Sequence, residues 1–257
     1  MERQVAIVTG GSGGMAPGLV AALIEANFRV VITARQASSL AEAAGKLESA
    51  SDIVAIPADV TDSQSTSALA SEVFKRFGRV DVLVNAAASS TPVGGPIEEV
   101  DVAALIRDLD VKVGGYLRMI QAVAPAMKAA RSGRIINIGG LTGRSSDTLS
   151  GLRNAAVAHL TKVLSDQLAP FGITVNAIHP GLVRTPHLAD LFQETAAAED
   201  RAPQDVENHF VTAVPLGRLL EPIEIGRAVT FLAGPNAGTI TGESLTVDGG
   251  YSRGIYL

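Results

Sequence analysis

Cysteine is absent from the 257 residues, so neither a disulfide framework nor a thiolate nucleophile or thiolate metal site is open to this chain. Positive charge is in short supply. The 21 Lys and Arg stand against 26 Asp and Glu, giving a net charge of −5 and a pI near 5.4. That balance argues against a phosphate-backbone binder, so no nucleic-acid partner is expected. No apolar run approaches the roughly 20 residues that span a bilayer, so no membrane partner is expected either. The N-terminus enters a strand almost at once, which leaves no room for a signal peptide, and the expected location is cytoplasmic. Internal repeats, low-complexity tracts and linkers are also missing, so residues 1–257 read as one domain. The histidines are widely separated and lack metal-ligand spacing, so no metal site is expected.

What is present is an apolar content of 47%, enough for a substantial core and against disorder of the whole chain. Short β-branched runs alternate with longer helical patterns, the signature of an α/β protein with a parallel sheet. Strands are expected at Val5–Thr9, Arg29–Thr33, Ile53–Pro57, Val80–Asn85, Arg134–Ile138, Thr174–His179 and Ser244–Val247. Helices are expected at Gly14–Ala26, Ser39–Ser49, Ser63–Phe77, Ala103–Ala130, Leu149–Ala169 and Pro222–Ala233. Residues Pro186 to Val214 are richer in Gln, Glu and Asp, and read either as a mobile substrate lid or as a solvated helical pair.

The first strand runs into Thr9-Gly10-Gly11-Ser12-Gly13-Gly14-Met15-Ala16, and a glycine-rich turn between a strand and a helix is suited to hold a pyrophosphate. Gly10 lets the chain turn sharply out of the strand. Gly14 lets the backbone approach a diphosphate at the positive end of the next helix. Ala16 stands where a third glycine is common and is small enough to keep close helix packing, while Pro17 suits a first helical turn. The second strand ends Ile32-Thr33-Ala34-Arg35. An acid here would bind the ribose 2′-hydroxyl of NAD, and Ala34 offers no such acceptor. Arg35 is suited to a 2′-phosphate, which favours NADP(H) over NAD(H), the alternative being a solvated loop arginine.

Taken with three later segments, these residues resemble the short-chain dehydrogenase/reductase family. Asp59-Val60-Thr61-Asp62 is similar to the family's adenine-contacting segment, and Leu83-Val84-Asn85-Ala86-Ala87-Ala88 to its Asn-Asn-Ala-Gly motif. Asn176-Ala177-Ile178-His179-Pro180-Gly181, with Val183 and Thr185, resembles its nicotinamide-side loop, and Gly242 to Gly250 matches its closing segment. The resemblance runs almost the full length with family spacing. It implies a three-layer αβα Rossmann fold with a doubly wound parallel sheet of about seven strands. It also implies cofactor contacts at Gly10, Ser12, Gly14, Met15, Arg35, Asp59, Val60, Asn85, Ala86, Ala87, Pro180, Gly181, Val183 and Thr185. Very commonly such proteins form a homo-tetramer across two long helices, so a homo-oligomer, tetramer or dimer, is expected.

The resemblance further implies hydride transfer between nicotinamide and a carbonyl or alcohol carbon. A tyrosine, its pKa lowered by a nearby lysine, protonates the alkoxide; a serine holds the substrate oxygen and an asparagine orders a relay water. In this chain Gly139-Gly140 occupies the Ser-Ser step, Ser150 the tyrosine position, Asn154 the lysine position and Lys112 the asparagine position. The only tyrosines are Tyr116, Tyr251 and Tyr256. Lys112, Ser150, Arg153 and Asn154 are therefore the candidate catalytic residues. Ser150 is a weak acid, and Arg153 is suited to an oxyanion but not to proton donation. Lys112 would serve as an acid if burial depressed its pKa. Lys112 and Tyr116 share a helix face and form either a relocated Lys–Tyr pair or, respectively, an ion pair with Asp108 or Asp110 and a core residue. His159, nine residues past Ser150 and about 180° around the helix, faces away from the site. His179 reads as a backbone-positioning residue and His187 as a lid residue able to reach a substrate. Tyr251 and Tyr256 are candidates for a contribution to a neighbouring subunit. The leading expectation is an oxidoreductase acting on a small molecule by a non-standard catalytic set. The alternatives are a non-catalytic nucleotide-binding regulator or partner subunit, and a nucleotide-independent lyase resembling the halohydrin dehalogenases.

Overall fold

The computed structural model describes residues 3–47, 52–89, 91, 93–143 and 148–254. Its centre is a seven-stranded parallel sheet in the order β3-β2-β1-β4-β5-β6-β7. The strands are β1 (Val5–Thr9), β2 (Arg29–Thr33), β3 (Ile53–Ala55), β4 (Val82–Asn85), β5 (Gly133–Ile138), β6 (Ile173–Pro180) and β7 (Ser244–Val247). All five β1 residues are buried because both faces of the sheet are covered, and successive side chains alternate between them. Ala6 and Val8 enter one core, with residues of α1 (Ala16–Glu25) and α9 (Pro222–Ala233). Val5 and Ile7 enter the other, with residues of α3 (Ser63–Phe77), α5 (Gly115–Ala130) and α6 (Gly151–Leu168). Register follows directly, with Ile7 beside Val31 of β2 and beside Leu83 of β4.

Close approach of α1 and α9 rests on Gly18 and Gly226. A Cβ at Gly18 would lie 2.1 Å from the Pro222 carbonyl carbon, and one at Gly226 would lie 2.3 Å from the Gly18 oxygen. Helix packing at this point thus depends on Gly18 rather than on the alanine at position 16. Asp62 caps α3 by accepting from Gln64 N at 2.9 Å, which explains why that helix starts where its sequence says.

The expected helix from Ala103 to Ala130 is interrupted. An α-helix α4 (Val102–Leu109) passes through a π-helical turn, Asp110–Gly114, before α5. Such turns insert one residue into the ladder and re-aim a side chain, here Lys112. The second helix, α2 (Ala37–Lys46), begins two residues ahead of Ser39, and Ser49, its expected end, lies outside the described residues. The Gln/Glu/Asp-rich stretch forms α7 (Pro186–Glu199) and α8 (Pro203–Thr212), which share a small core of Leu188, Phe192, Ala196 and Val206 with Leu219. Among the described residues no helix is long and apolar enough to cross a membrane.

Candidate active site

Strand order reverses between β1 and β4, and open α/β sheets take ligands outside the carboxyl ends of the strands at such a point. A cleft of about 660 Å³ opens there. One wall is the turn after β1, with Gly10, Ser12, Gly14 and Met15. Gly10 sits at φ +73°, and a Cβ on it would stand 2.8 Å from the Ala86 oxygen, so the sharp turn and the neighbouring loop both require glycine. Thr9 Oγ1 ties the two loops by accepting from Ala86 N at 3.0 Å and Ala87 N at 3.1 Å. Gly14 faces the start of α7, where a Cβ would meet Pro186 Cδ at 2.8 Å. Thr185, which caps α7 by accepting from Leu188 N, also lines the cleft, as does the exposed His187.

Arg35, exposed at the end of β2, forms the far mouth with Ser39. Asp59 and Val60 follow β3 on the same side. Partial burial pushes the Asp59 carboxyl up, but hydrogen bonds from Thr61 N and Thr61 Oγ1, with the Arg35 and Arg118 charges, outweigh it and hold the group below its ordinary value. Ala86 and Ala87 complete the floor.

Four residues expected to contact a cofactor lie off this cleft. Asn85 is fully buried, and its Nδ2 donates to Asn137 Oδ1 at 2.9 Å across the β4–β5 pair, whose register places the two side by side. Asn137 in turn donates to Thr161 Oγ1 at 3.0 Å, so Asn85 belongs to a polar ladder inside the sheet. Pro180 and Gly181 continue against β7, with Gly181 N donating to Val247 O at 2.9 Å and no room for a Cβ against Asp248. Val183 is buried and bridges to Leu220.

Beyond the floor stand the candidate catalytic residues, all joined by internal bonds. Lys112, only 4% exposed, pairs with neither Asp108 nor Asp110; its Nζ donates to Gly139 O at 3.0 Å and to Asn154 Oδ1 at 2.8 Å. The carboxylates are taken elsewhere, Asp108 by Arg153 and Asp110 by Arg118. Burial, reinforced by the Arg153 charge and opposed by Asp108, lowers the Lys112 pKa to about 7. Tyr116 is a core residue. Its hydroxyl donates to Ile138 O at 2.9 Å, and burial raises its pKa well above the phenol range, so it forms no working pair with Lys112. Ser150 Oγ accepts from Val93 N at 2.8 Å. Arg153 joins α6 to Asp108 of α4 and to Ser89 O at 3.2 Å, which fixes the cleft wall at Ser89. Arg153 spends Nη1 on Asp108 and Ser89, whereas its Nε has no partner among the described residues, so the guanidinium is only partly engaged.

His179 is buried with Nδ1 3.3 Å from Gly140 N and 3.1 Å from Gly140 O, holding the backbone after β5 as expected. His159 is exposed on α6, and Tyr256 lies outside the described residues. Thr61, read as part of the adenine-contacting segment, lines the cleft; sequence reasoning missed Thr91 and Val111 there, and Thr142 beside Asn154. The Asp59–Thr61 pair carried a signal, since an aspartate two residues before a threonine commonly folds an Asx-turn. Among the described residues no group of three His, Asp or Glu is placed to hold a metal.

Residues 10–252 match the family described as Enoyl-(Acyl carrier protein) reductase. The cis-4-hydroxycyclohexanecarboxylate dehydrogenase of Sinomonas cyclohexanicum is 34% identical over 97% of each chain. Of the solved structures, a variant actinorhodin polyketide ketoreductase with NADPH superposes with a TM-score of 0.91 at 30% identity over 98% of each chain. An NAD+-bound xylitol dehydrogenase gives 0.88 at 25% identity, over 96% of this chain and 98% of its own. With the strand order, the switch-point cleft and these full-length matches together, the chain belongs to the short-chain dehydrogenase/reductase family of oxidoreductases.

Proposed function

We propose that this protein binds NADP(H) in the switch-point cleft and passes a hydride between the nicotinamide and a small carbonyl or alcohol substrate. The single observation behind this is the cleft itself, with Gly10–Met15 at one wall, Arg35 at its far mouth and no carboxylate at position 34. The nucleotide supplies the hydride chemistry when bound. Gly10 and Gly14 let the turn pack against Ala86 and Pro186 where it opens α1, whose positive end suits a diphosphate, and Arg35 offers a bidentate cation to a 2′-phosphate. The ketoreductase that superposes on this chain carries NADPH and the xylitol dehydrogenase NAD+, so Arg35 is the feature that favours NADP(H) here.

In this reading the usual serine, tyrosine and lysine are replaced. Lys112 and Asn154 stand exchanged relative to the family's asparagine and lysine, and the two are bonded to each other. Ser150 and Arg153 hold the loops at Val93 and Ser89. A homo-oligomer is also proposed, supported by Leu152 and Val163, which are 49% and 38% exposed on α6. Light scattering showing a monomer at micromolar concentration would remove that part.

The second reading, a non-catalytic nucleotide-binding regulator or partner subunit, is favoured by one observation: Ser150, Arg153 and Tyr116 are each committed to internal bonds. Titrating the protein with NADPH and NADH, followed by nucleotide fluorescence, tests both. NADPH-selective binding with turnover of a carbonyl panel carries the first reading, binding without turnover carries the second, and no binding removes both.

A further inference from the structure

The end of β5 leaves no room for a hydroxyl-bearing residue at its first two positions. A Cβ on Gly139 would stand 2.6 Å from the His179 ring, and one on Gly140 would stand 2.8 Å from Asn154 Nδ2. The imidazole and the amide thus fill the space in which a side chain there would project. The next hydroxyl along the chain is Thr142, in the short turn Leu141–Gly143, and it is exposed. Gly143 fixes that turn against α6, where a Cβ would meet Ala155 N at 2.7 Å.

Thr142 is joined to Lys112 by hydrogen bonds that all run in one direction. Lys112 has donors only, so its bond at 2.8 Å assigns the Asn154 oxygen to the lysine side. The Asn154 amide nitrogen then faces outward and donates to Thr142 Oγ1 at 2.7 Å. That bond occupies a lone pair of Thr142 and leaves its own O–H without an acceptor among the described residues. Lys112 and Asn154 are each 4% exposed, whereas Thr142 is exposed in the turn that follows the carboxyl end of β5. We propose that Thr142 is the residue that holds the substrate oxygen, and that Lys112 acts on it through Asn154 as a positioning residue. The inference rests on the oxidoreductase reading above and deepens it.

The physical basis is cooperative polarisation. In a low-dielectric interior each bond in such a chain strengthens the next, so Lys112 in its protonated form makes the terminal hydroxyl a better donor to an oxygen that gains negative charge. The chain moves no proton, because an amide that accepts at oxygen and donates at nitrogen exchanges no hydrogen between them. Its contribution is to bind and orient.

The test uses the full chain, NADPH, and 4-oxocyclohexanecarboxylate as the carbonyl probe, with Thr142→Val, Thr142→Ser and Asn154→Leu. Thr142→Val is expected to lower kcat about 100-fold, the effect of losing one oxyanion donor, with NADPH affinity within about twofold. Thr142→Ser restores kcat to within about tenfold of wild type, and adding Asn154→Leu to Thr142→Val costs nothing more, since the two act as one unit. A full kcat in Thr142→Val, or losses that multiply, would overturn the inference. A second readout is independent of turnover. In protein labelled with [13Cε]lysine and loaded with NADP+, trifluoroethanol shifts the Lys112 signal in wild type and not in Thr142→Val; the same response in both overturns the chain. A wild type that binds NADPH but responds to neither probe removes this inference and leaves nucleotide binding standing. A wild type that binds no NADPH removes both.

Discussion

At the end of the cleft formed by the turn after β1 the walls are backbone and small residues, with Gly10, Gly14, Ala86 and Ala87 setting a shape and Arg35 supplying one exposed charge. Behind the other wall of the cleft, at Ser89 and Val111, stand side chains bonded to one another. There Arg153 holds Asp108, Lys112 holds Asn154 and Ser150 holds Val93 N. The first end is open, because its small residues leave room. The second is a packed polar network, in which every side chain has at least one partner and a single loss strands another. A residue's usefulness to a ligand here depends less on its type than on whether the fold has already engaged it.

Removing the buried cation from the packed end should have the largest effect. Asp108 is 2% exposed at its side chain and Arg153 15%, so Arg153→Met leaves a carboxylate uncompensated. A loss of about 3–5 kcal/mol in urea unfolding is expected. The same change removes the repulsion Arg153 exerts on Lys112, so the Lys112 pKa rises from about 7, measurable by lysine carbon NMR. At the open end, Gly10→Val places a β-branched residue at φ +73° against the Ala86 oxygen. It should cost on the order of 1–3 kcal/mol and abolish NADPH binding in the fluorescence titration. Arg35→Ala tests charge without touching shape. NADPH affinity should fall about 10-fold to 100-fold, the worth of a charged hydrogen bond, and NADH affinity should stay within about twofold.

The effect that is smallest over a single pH unit belongs to Lys112. Its folded pKa is lowered to about 7 from the ordinary 10.5, so between those values the unfolded chain holds a proton that the folded chain lacks. Stability from this group therefore rises with pH across that window, by up to about 1.4 kcal/mol per unit, and is flat below it. Lys112→Met removes the slope. Unfolding in urea at several pH values between about 7 and about 10 reads the difference, and a wild-type slope equal to the variant's would show the ammonium is not depressed.

Much of the frame was legible because it depends on local pattern. β1, β2, β7, α3 and α9 fall at their expected ends, each bounded by a cap, a turn or a glycine that acts within a few residues. The turn at Gly10–Met15 was legible for the same reason. The π-helical turn at Asp110–Gly114 was not, since nothing in that apolar-periodic stretch marks an inserted residue, and the partners its Lys112 meets, Gly139 and Asn154, come from distant segments. Asn85 read as a ligand contact because the sequence shows a motif but not the Asn137 side chain beside it in β5.

By itself, then, the sequence determined the family frame: alternating apolar strands and amphipathic helices, the glycine turn and the Ala34-Arg35 end of β2 are set by neighbours along the chain. Only the tertiary structure decided which polar residues are free. Lys112 and Asn154 lie 42 residues apart, Arg153 and Asp108 45, and Gly139 stands 40 residues before the His179 ring that excludes its side chain. Burial, hydrogen-bond partners and pKa are properties of what folds against a residue, and no pattern along the chain states them.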